Sequence, residues 1–375
     1  MLKTFLAGLI ALAGMASPVR AELVVETRHV ILKDFQLEVG AVLPELRIEY
    51  ETCGTLAADG RNGVMMTHGY TSSQHSAGRY ALGKAPPGLT ETAKGPWEAM
   101  IGPGLPIDTG RYFIVSSNML GSSYGTTGPA SANPSTGKPY GPDFPEFSVV
   151  DMVRAQHALL EQLGVKHLVA VIGASYGGFQ AFTWGVTYPE MMDGVVVAVS
   201  APKGSGDLGA VDRLKAELAR DPNWNGGNYY EKGGILPTLI DLRVATLKQY
   251  GIEASLMQRF PDPAARDAEI RRMAEPWARA FDGNSLVVLR RASVVYDAVP
   301  GLPRMKAKLL YALSRTDRLF PPSIAPGVME KLRAAGVDAR YVEIDSPNGH
   351  TGYAADAAAW RPALQAFMDG ISPRS

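Results

Sequence analysis

The chain has 375 residues, 46% of them hydrophobic and 20% charged, with 37 Lys plus Arg balanced by 37 Asp plus Glu. That size and apolar content suffice to bury a large core as one large domain or two closely joined ones, which excludes intrinsic disorder as the main theme. A formal charge of zero leaves no global field for nucleic acid or an anionic membrane surface, and points to a small molecule as the partner.

Residues 1–21, MLKTFLAGLIALAGMASPVRA, combine an early lysine, an apolar stretch from Phe5 to Ala16 and a small-residue cleavage site at Val19-Arg20-Ala21. They are expected to form a secretory signal, with a mature start near Glu22 and a periplasmic or secreted destination. A membrane anchor is the alternative, opposed by an apolar stretch shorter than the roughly 20 residues a bilayer span needs. After it, β-like runs (LVVETRHVIL, ELRIEYETCG, NGVMMTHGY, RYFIVSSNML) lead into the helix-like DMVRAQHALLEQLG, the strand HLVAVIG and a helix through FQAFTWGVTYP. The single cysteine, Cys53, can form no intramolecular disulfide and is expected as a small buried hydrophobe in its strand.

Such alternation predicts an α/β fold, a mostly parallel sheet with helices on both faces. The Gly- and Pro-rich SSYGTTGPASANPSTGKPYGPDFPEF is predicted to be a long loop that helps shape a site. From Lys203 the texture turns polar, Arg-rich and helical, and strands return at KAKLLYALS and ARYVEIDS before the helical AADAAAWRPALQAFMD. The expected division is a core in two parts, 22–202 and 304–375, interrupted by a helical lid over 203–303 at the sheet's C-terminal edge.

Ser175 stands in G-x-S-x-G directly after the strand HLVAVIG and directly before a helix pattern, the strand-turn-helix context of a nucleophile elbow. Gly173 and Gly177 are expected because side chains there would clash in the sharp turn. A serine hydroxyl needs a base, an orienting acid and oxyanion donors before it attacks a carbonyl. Asp317 and His350 follow later strands, at loops and in the order this elbow requires. His29 and His68 precede the serine, His157 lies within a helix pattern, His167 opens the serine's own strand, and the rival acid Asp193 precedes its strand. Backbone N–H groups of Tyr176 and of Tyr70, in THGYTSS, are the expected oxyanion donors, and His68 is expected to be structural. No His or Cys pair has metal-ligand spacing and no dinucleotide fingerprint follows an early strand, so neither metal nor cofactor is expected.

YETCGTL, GPG at 102–104 with DTGRYFIVSSNMLGSSYGTTGP, TGKPYGPDFP running into DMVRAQ, GASYGG, DPNWNGGNYY and DRLFPP together resemble the homoserine O-acetyltransferase branch of the α/β-hydrolases, across most of the mature chain. The resemblance implies an α/β-hydrolase core with a helical lid, a Ser175–Asp317–His350 triad, an acyl-enzyme intermediate and a homodimer through the lid. It also implies that Arg243, seven residues before Tyr250, holds the carboxylate of homoserine, a task suited to a guanidinium fork. The alternative for Arg243 is a solvated helix arginine. Where the family has an aspartate after the catalytic histidine to pair with the acceptor's ammonium, this chain has Thr351, which cannot balance a cation. That departure, with an exported chain's lack of acyl-CoA, predicts a secreted serine hydrolase of small acyl esters or amides. An O-acyltransferase using acyl-CoA is the alternative, and a non-catalytic binding protein on the same fold a further one, opposed by the intact Ser, Asp and His.

Overall fold

The structure is a computed structural model that describes residues 23–371, so the expected signal segment at 1–21 lies outside the described residues. A short parallel pair is formed by β1 (Val24–Val25) and the later β5 (Arg79–Tyr80). Then β2 (Thr27–Gln36) and β3 (Val42–Cys53) form a hairpin at one edge of the main sheet. The sheet continues through β4 (Gly63–Thr67), β6 (Phe113–Ser117), β7 (Leu168–Ala174), β8 (Met192–Ala198), β9 (Lys308–Ser314) and β10 (Ala339–Ile344). Its spatial order is β10-β9-β8-β7-β4-β6-β3-β2, with only the pairings of β3 with β2 and with β6 antiparallel.

Burial explains the strand compositions. All seven residues of β7, LVAVIGA, are buried, as a central parallel strand covered on both faces requires. On β4, Met65 faces one core cluster while Val64 and Met66 face the other. Helices α1 (Val149–Gln162) and α2 (Tyr176–Thr187) fill the first face. α1 starts two residues before the helical pattern in the sequence, because Ser148 and Asp151 close a capping box at its N-terminus.

Between β8 and β9 the described chain forms α3 (Gly209–Leu218), α4 (Leu236–Gln249), α5 (Ile252–Leu256), α6 (Pro263–Ala280) and α7 (Gly283–Val294), with no strand of the sheet. The excursion is closed at its stem: Ala298 N–H donates to Pro202 O at 2.8 Å, Gly204 N–H to Tyr296 O at 2.9 Å, and Lys203 pairs with Asp297 at 2.7 Å. Inside it, Asp282 caps α7 by accepting from Ser285 N–H at 2.7 Å and also accepts the phenols of Tyr229 and Tyr230, which ties DPNWNGGNYY to α7. The chain ends with α8 (Ala325–Ala334) before β10, then α9 (Gly352–Ala355) and α10 (Arg361–Ile371). Leu364, Phe367 and Met368 of α10 build the second face of the core with Trp97 and Trp360.

Cys53 closes β3 half-buried, and burial pushes its thiol up to about 12, so it is a packed hydrophobe and not a reactive thiol. The long loop after β6 carries no helix or strand before a turn of 3₁₀ helix at Gly141–Asp143.

Candidate active site

Ser175 sits between the end of β7 and the first residue of α2 with φ 56° and ψ −123°, a backbone state that costs a side-chain-bearing residue energy. The surroundings impose it. Ser175 N–H donates to Ala198 O at 3.0 Å, and its carbonyl accepts from Gly178 N–H at 2.8 Å and from the Ser200 hydroxyl at 2.7 Å. Thr67 donates to Gly177 O at 2.8 Å. A Cβ on Gly173 would lie 2.2 Å from Gly177 O, and one on Gly177 would lie 2.4 Å from Thr67 O, so both positions exclude any side chain.

Asp317 follows β9 and His350 follows β10, and the structure brings both to Ser175. His350 Nδ1 lies 2.8 Å from Asp317 Oδ2, and His350 Nε2 lies 2.8 Å from Ser175 Oγ. A carboxylate only accepts, so Nδ1 carries the proton and the Nε2 lone pair faces the serine hydroxyl. Asp317 is held in turn by Leu319 N–H at 2.8 Å. Asp317 and His350 are buried, whereas Ser175 keeps partial access to the cavity beside it.

The other histidines are otherwise engaged. His68 Nδ1 faces Gly69 O at 2.9 Å while Nε2 accepts from Met119 N–H at 3.1 Å, a neutral tautomer, and burial lowers its pKa to about 4. His167 and the rival acid Asp193 pair with one another at 3.0 Å, where β7 and β8 begin.

Tyr176 opens α2, so its N–H has no helical carbonyl to donate to. Gly69, next to Tyr70, is close enough that a Cβ on it would sit 3.8 Å from Ser175 Cβ. The Tyr70 and Tyr176 rings stack at 5.9 Å, and their phenols donate to Leu286 O and Leu289 O of α7. The lid is thereby fastened to the turn that carries the serine.

Tyr250 does more than the sequence suggested. Its carbonyl accepts from His350 N–H at 3.0 Å and its ring lies 4.9 Å from the imidazole, with Phe320 stacked at 5.8 Å. Neither ring contact has a signal in the sequence: Tyr250 comes from the helical excursion and Phe320 from the loop after β9, and only folding brings them to His350. Thr351 donates its hydroxyl to Asn348 O at 2.9 Å.

Arg243 is not a solvated helix arginine. Its Nη1 donates to Thr71 Oγ1 at 2.8 Å, its guanidinium lies 4.9 Å over the Trp277 ring, its Nε is buried without a partner, and burial lowers its pKa. It does not line the cavity of about 150 Å³ that contains Ser175, whose walls include Tyr70, Phe179, Gln249, Tyr250, Arg290 and Phe320. Arg290 went unremarked in the sequence, although Leu286, Arg290 and Ser293 recur at helical spacing and so place a cation on the inward stripe of α7. The Gly- and Pro-rich loop contributes Ser122 to Ser131 to a separate cavity of about 390 Å³ with Tyr229, Tyr230 and Asp282.

Residues 85–356 match the family described as alpha/beta hydrolase fold. The homoserine O-acetyltransferase of Moorella thermoacetica is 36% identical over 358 residues, covering 90% of this chain and 94% of that protein. Among solved structures, esterase E22 superposes with a TM-score of 0.83 at 29% identity over 92% of this chain and 100% of its own. A homoserine O-acetyltransferase from Bacillus anthracis gives a TM-score of 0.83 at 26% identity over 92% of this chain and 98% of its own. With that identity sustained along nearly its whole length, the chain belongs to the homoserine O-acetyltransferase family of α/β-hydrolase-fold proteins.

Proposed function

We propose that the protein transfers a small acyl group through an ester on Ser175. The carrying observation is the unbroken Ser175–His350–Asp317 hydrogen-bond chain, with 2.8 Å at each link, opening onto a cavity. Ser175 Oγ attacks the acyl carbonyl while His350 Nε2 takes its proton, and the oxyanion that forms is held by the N–H groups of Tyr70 and Tyr176. The bond to the donor's leaving atom breaks and His350 returns the proton to that atom. An acceptor hydroxyl then gives its proton to His350 and takes the acyl group, and the proton passes back to Ser175. Asp317 fixes the imidazole tautomer throughout.

The named sequence relative is an acetyltransferase, which favours acyl-CoA as donor and a hydroxyl compound as acceptor over the exported ester hydrolase expected from the sequence. The buried guanidinium of Arg243 has no carboxylate partner among the described residues and suits an acceptor that brings one. Hydrolysis is the second reading, and Thr351 favours it: a neutral hydroxyl bonded to Asn348 O offers no charge to an ammonium group, so water is less disadvantaged as acceptor. The exported state expected from residues 1–21 would add to that reading.

The test is an assay of purified protein with acetyl-CoA plus homoserine, alongside short-chain aryl esters, with fluorophosphonate labelling of the wild type and Ser175→Ala. Transfer to homoserine above ester hydrolysis supports the first reading, and hydrolysis with no transfer the second. Absence of labelling in the wild type would sink both.

A further inference from the structure

Arg290 is half-buried on the inward stripe of α7 and lines the Ser175 cavity. Its neighbour Arg291 turns outward to pair with Glu146 at 2.5 Å, whereas no carboxylate among the described residues lies within ion-pair distance of Arg290. Its guanidinium instead rests 5.3 Å over the Tyr70 ring, a contact that gives little relief to a cation drawn partly from water. The phenols nearby give no negative charge. Tyr70 and Tyr176 donate to α7 carbonyls, and burial drives both pKa values up. Ser205, Thr246, Gln249 and Ser293, also in the wall, carry no charge, and no carboxylate lines the cavity.

The cavity is therefore electropositive, small and rigidly placed. Two phenol-to-carbonyl bonds fix α7 against the turn that holds Ser175, and the guanidinium rests on the Tyr70 ring. A planar fork of donors in the wall of the Ser175 cavity, with no acid to satisfy it, matches a ligand carboxylate in a bidentate pair. The volume, about 150 Å³, is room for about five water-sized groups. A short chain fits within it.

We propose that Arg290 is a specificity-determining residue that binds a carboxylate on the substrate of the Ser175 cavity, making short anionic acyl esters the preferred substrates. The proposal rests on the reading that Ser175 takes the acyl group. The carboxylate sits either at the end of the acyl chain or on the alcohol side, and three probes separate these: 4-nitrophenyl acetate, mono-4-nitrophenyl succinate and 4-acetoxybutanoate. Each is assayed with wild type, Arg290→Gln and Arg290→Lys. The expected result is that Arg290→Gln lowers the ratio of kcat/KM on one anionic ester to that on the neutral ester at least tenfold, through KM, with Arg290→Lys keeping part of it. The affected anionic ester identifies which side carries the carboxylate. Ratios unchanged within twofold, or an equal fall on all three esters, overturn the proposal, the second because Arg290 then only props Tyr70. Calorimetry on Ser175→Ala with succinate and with 4-hydroxybutanoate tests binding without turnover: heat abolished by adding Arg290→Gln supports the proposal, and no heat with either ligand overturns it. Failure of turnover and labelling with retained anion binding would instead refute the acyl-enzyme reading.

Discussion

At the scale of single residues, the strain at Ser175 makes two variants separable that both lack the hydroxyl. Ser175→Ala keeps a Cβ in a conformation with φ 56°, whereas Ser175→Gly relieves it. Partly offset by the greater freedom of an unfolded glycine, Ser175→Gly is expected to be about 1 kcal/mol more stable than Ser175→Ala, measured by denaturant unfolding. Equal stabilities would mean that the turn carries no strain. For Asp317→Asn, the imidazole loses the acceptor that holds its proton on Nδ1, and kcat is expected to fall by on the order of 10⁴-fold with KM little changed. That Ser175, Asp317 and His350 meet was legible in the sequence because their order and their places at strand ends are dictated by chain connectivity. The ring contacts of Tyr250 and Phe320 with His350 and the place of Arg290 were not: they depend on how the helical excursion and the loops after β9 and β10 come together, and no local pattern encodes that.

Among elements, α7 is the piece on which the lid and the nucleophile turn meet. Tyr176→Phe removes the 3.1 Å phenol bond to Leu289 O, a carbonyl already within a helix, so no buried acceptor is orphaned. The expected loss is about 1 kcal/mol in urea unfolding; a loss several times larger would show that the bond anchors the whole lid. The sheet was read well from composition, since fully buried runs such as LVAVIGA leave little choice of element. The start of α1 was placed late because the capping box at Ser148 precedes the apolar pattern. The Gly- and Pro-rich loop was recognised as irregular, yet it lines the cavity of Tyr229 and Tyr230 and not that of Ser175. Composition marks a loop without saying which opening it faces.

For the whole molecule, two buried histidines set opposite limits on pH. His68 has its pKa lowered to about 4 by burial, so acidification protonates the unfolded chain first, and stability is lost as pH falls from the ordinary value near 6.5 towards 4, by about 3 kcal/mol in all. Burial of His75 opposes its charge, but Glu51 at 3.1 Å on Nδ1 and Ala93 O at 3.1 Å on Nε2 more than offset this, and its pKa is raised. Its contribution is full below the unfolded pKa and is lost as pH rises through the folded one. The thermal midpoint scanned from about pH 4 to about pH 9 is therefore expected to peak near the ordinary histidine pKa. His75→Gln should flatten only the alkaline limb, and a midpoint that rises steadily with pH would contradict this account. The stem of the lid carries a different consequence. Because the excursion between β8 and β9 is pinched at its stem, where Pro202 and Ala298 are hydrogen-bonded to each other, the insertion is a detachable cassette in the topological sense. Mutation or replacement within it can redraw the chamber above the serine without altering the connectivity that brings Ser175, Asp317 and His350 together, so such a scaffold can vary what enters the chamber while inheriting the Ser175–His350–Asp317 arrangement unchanged.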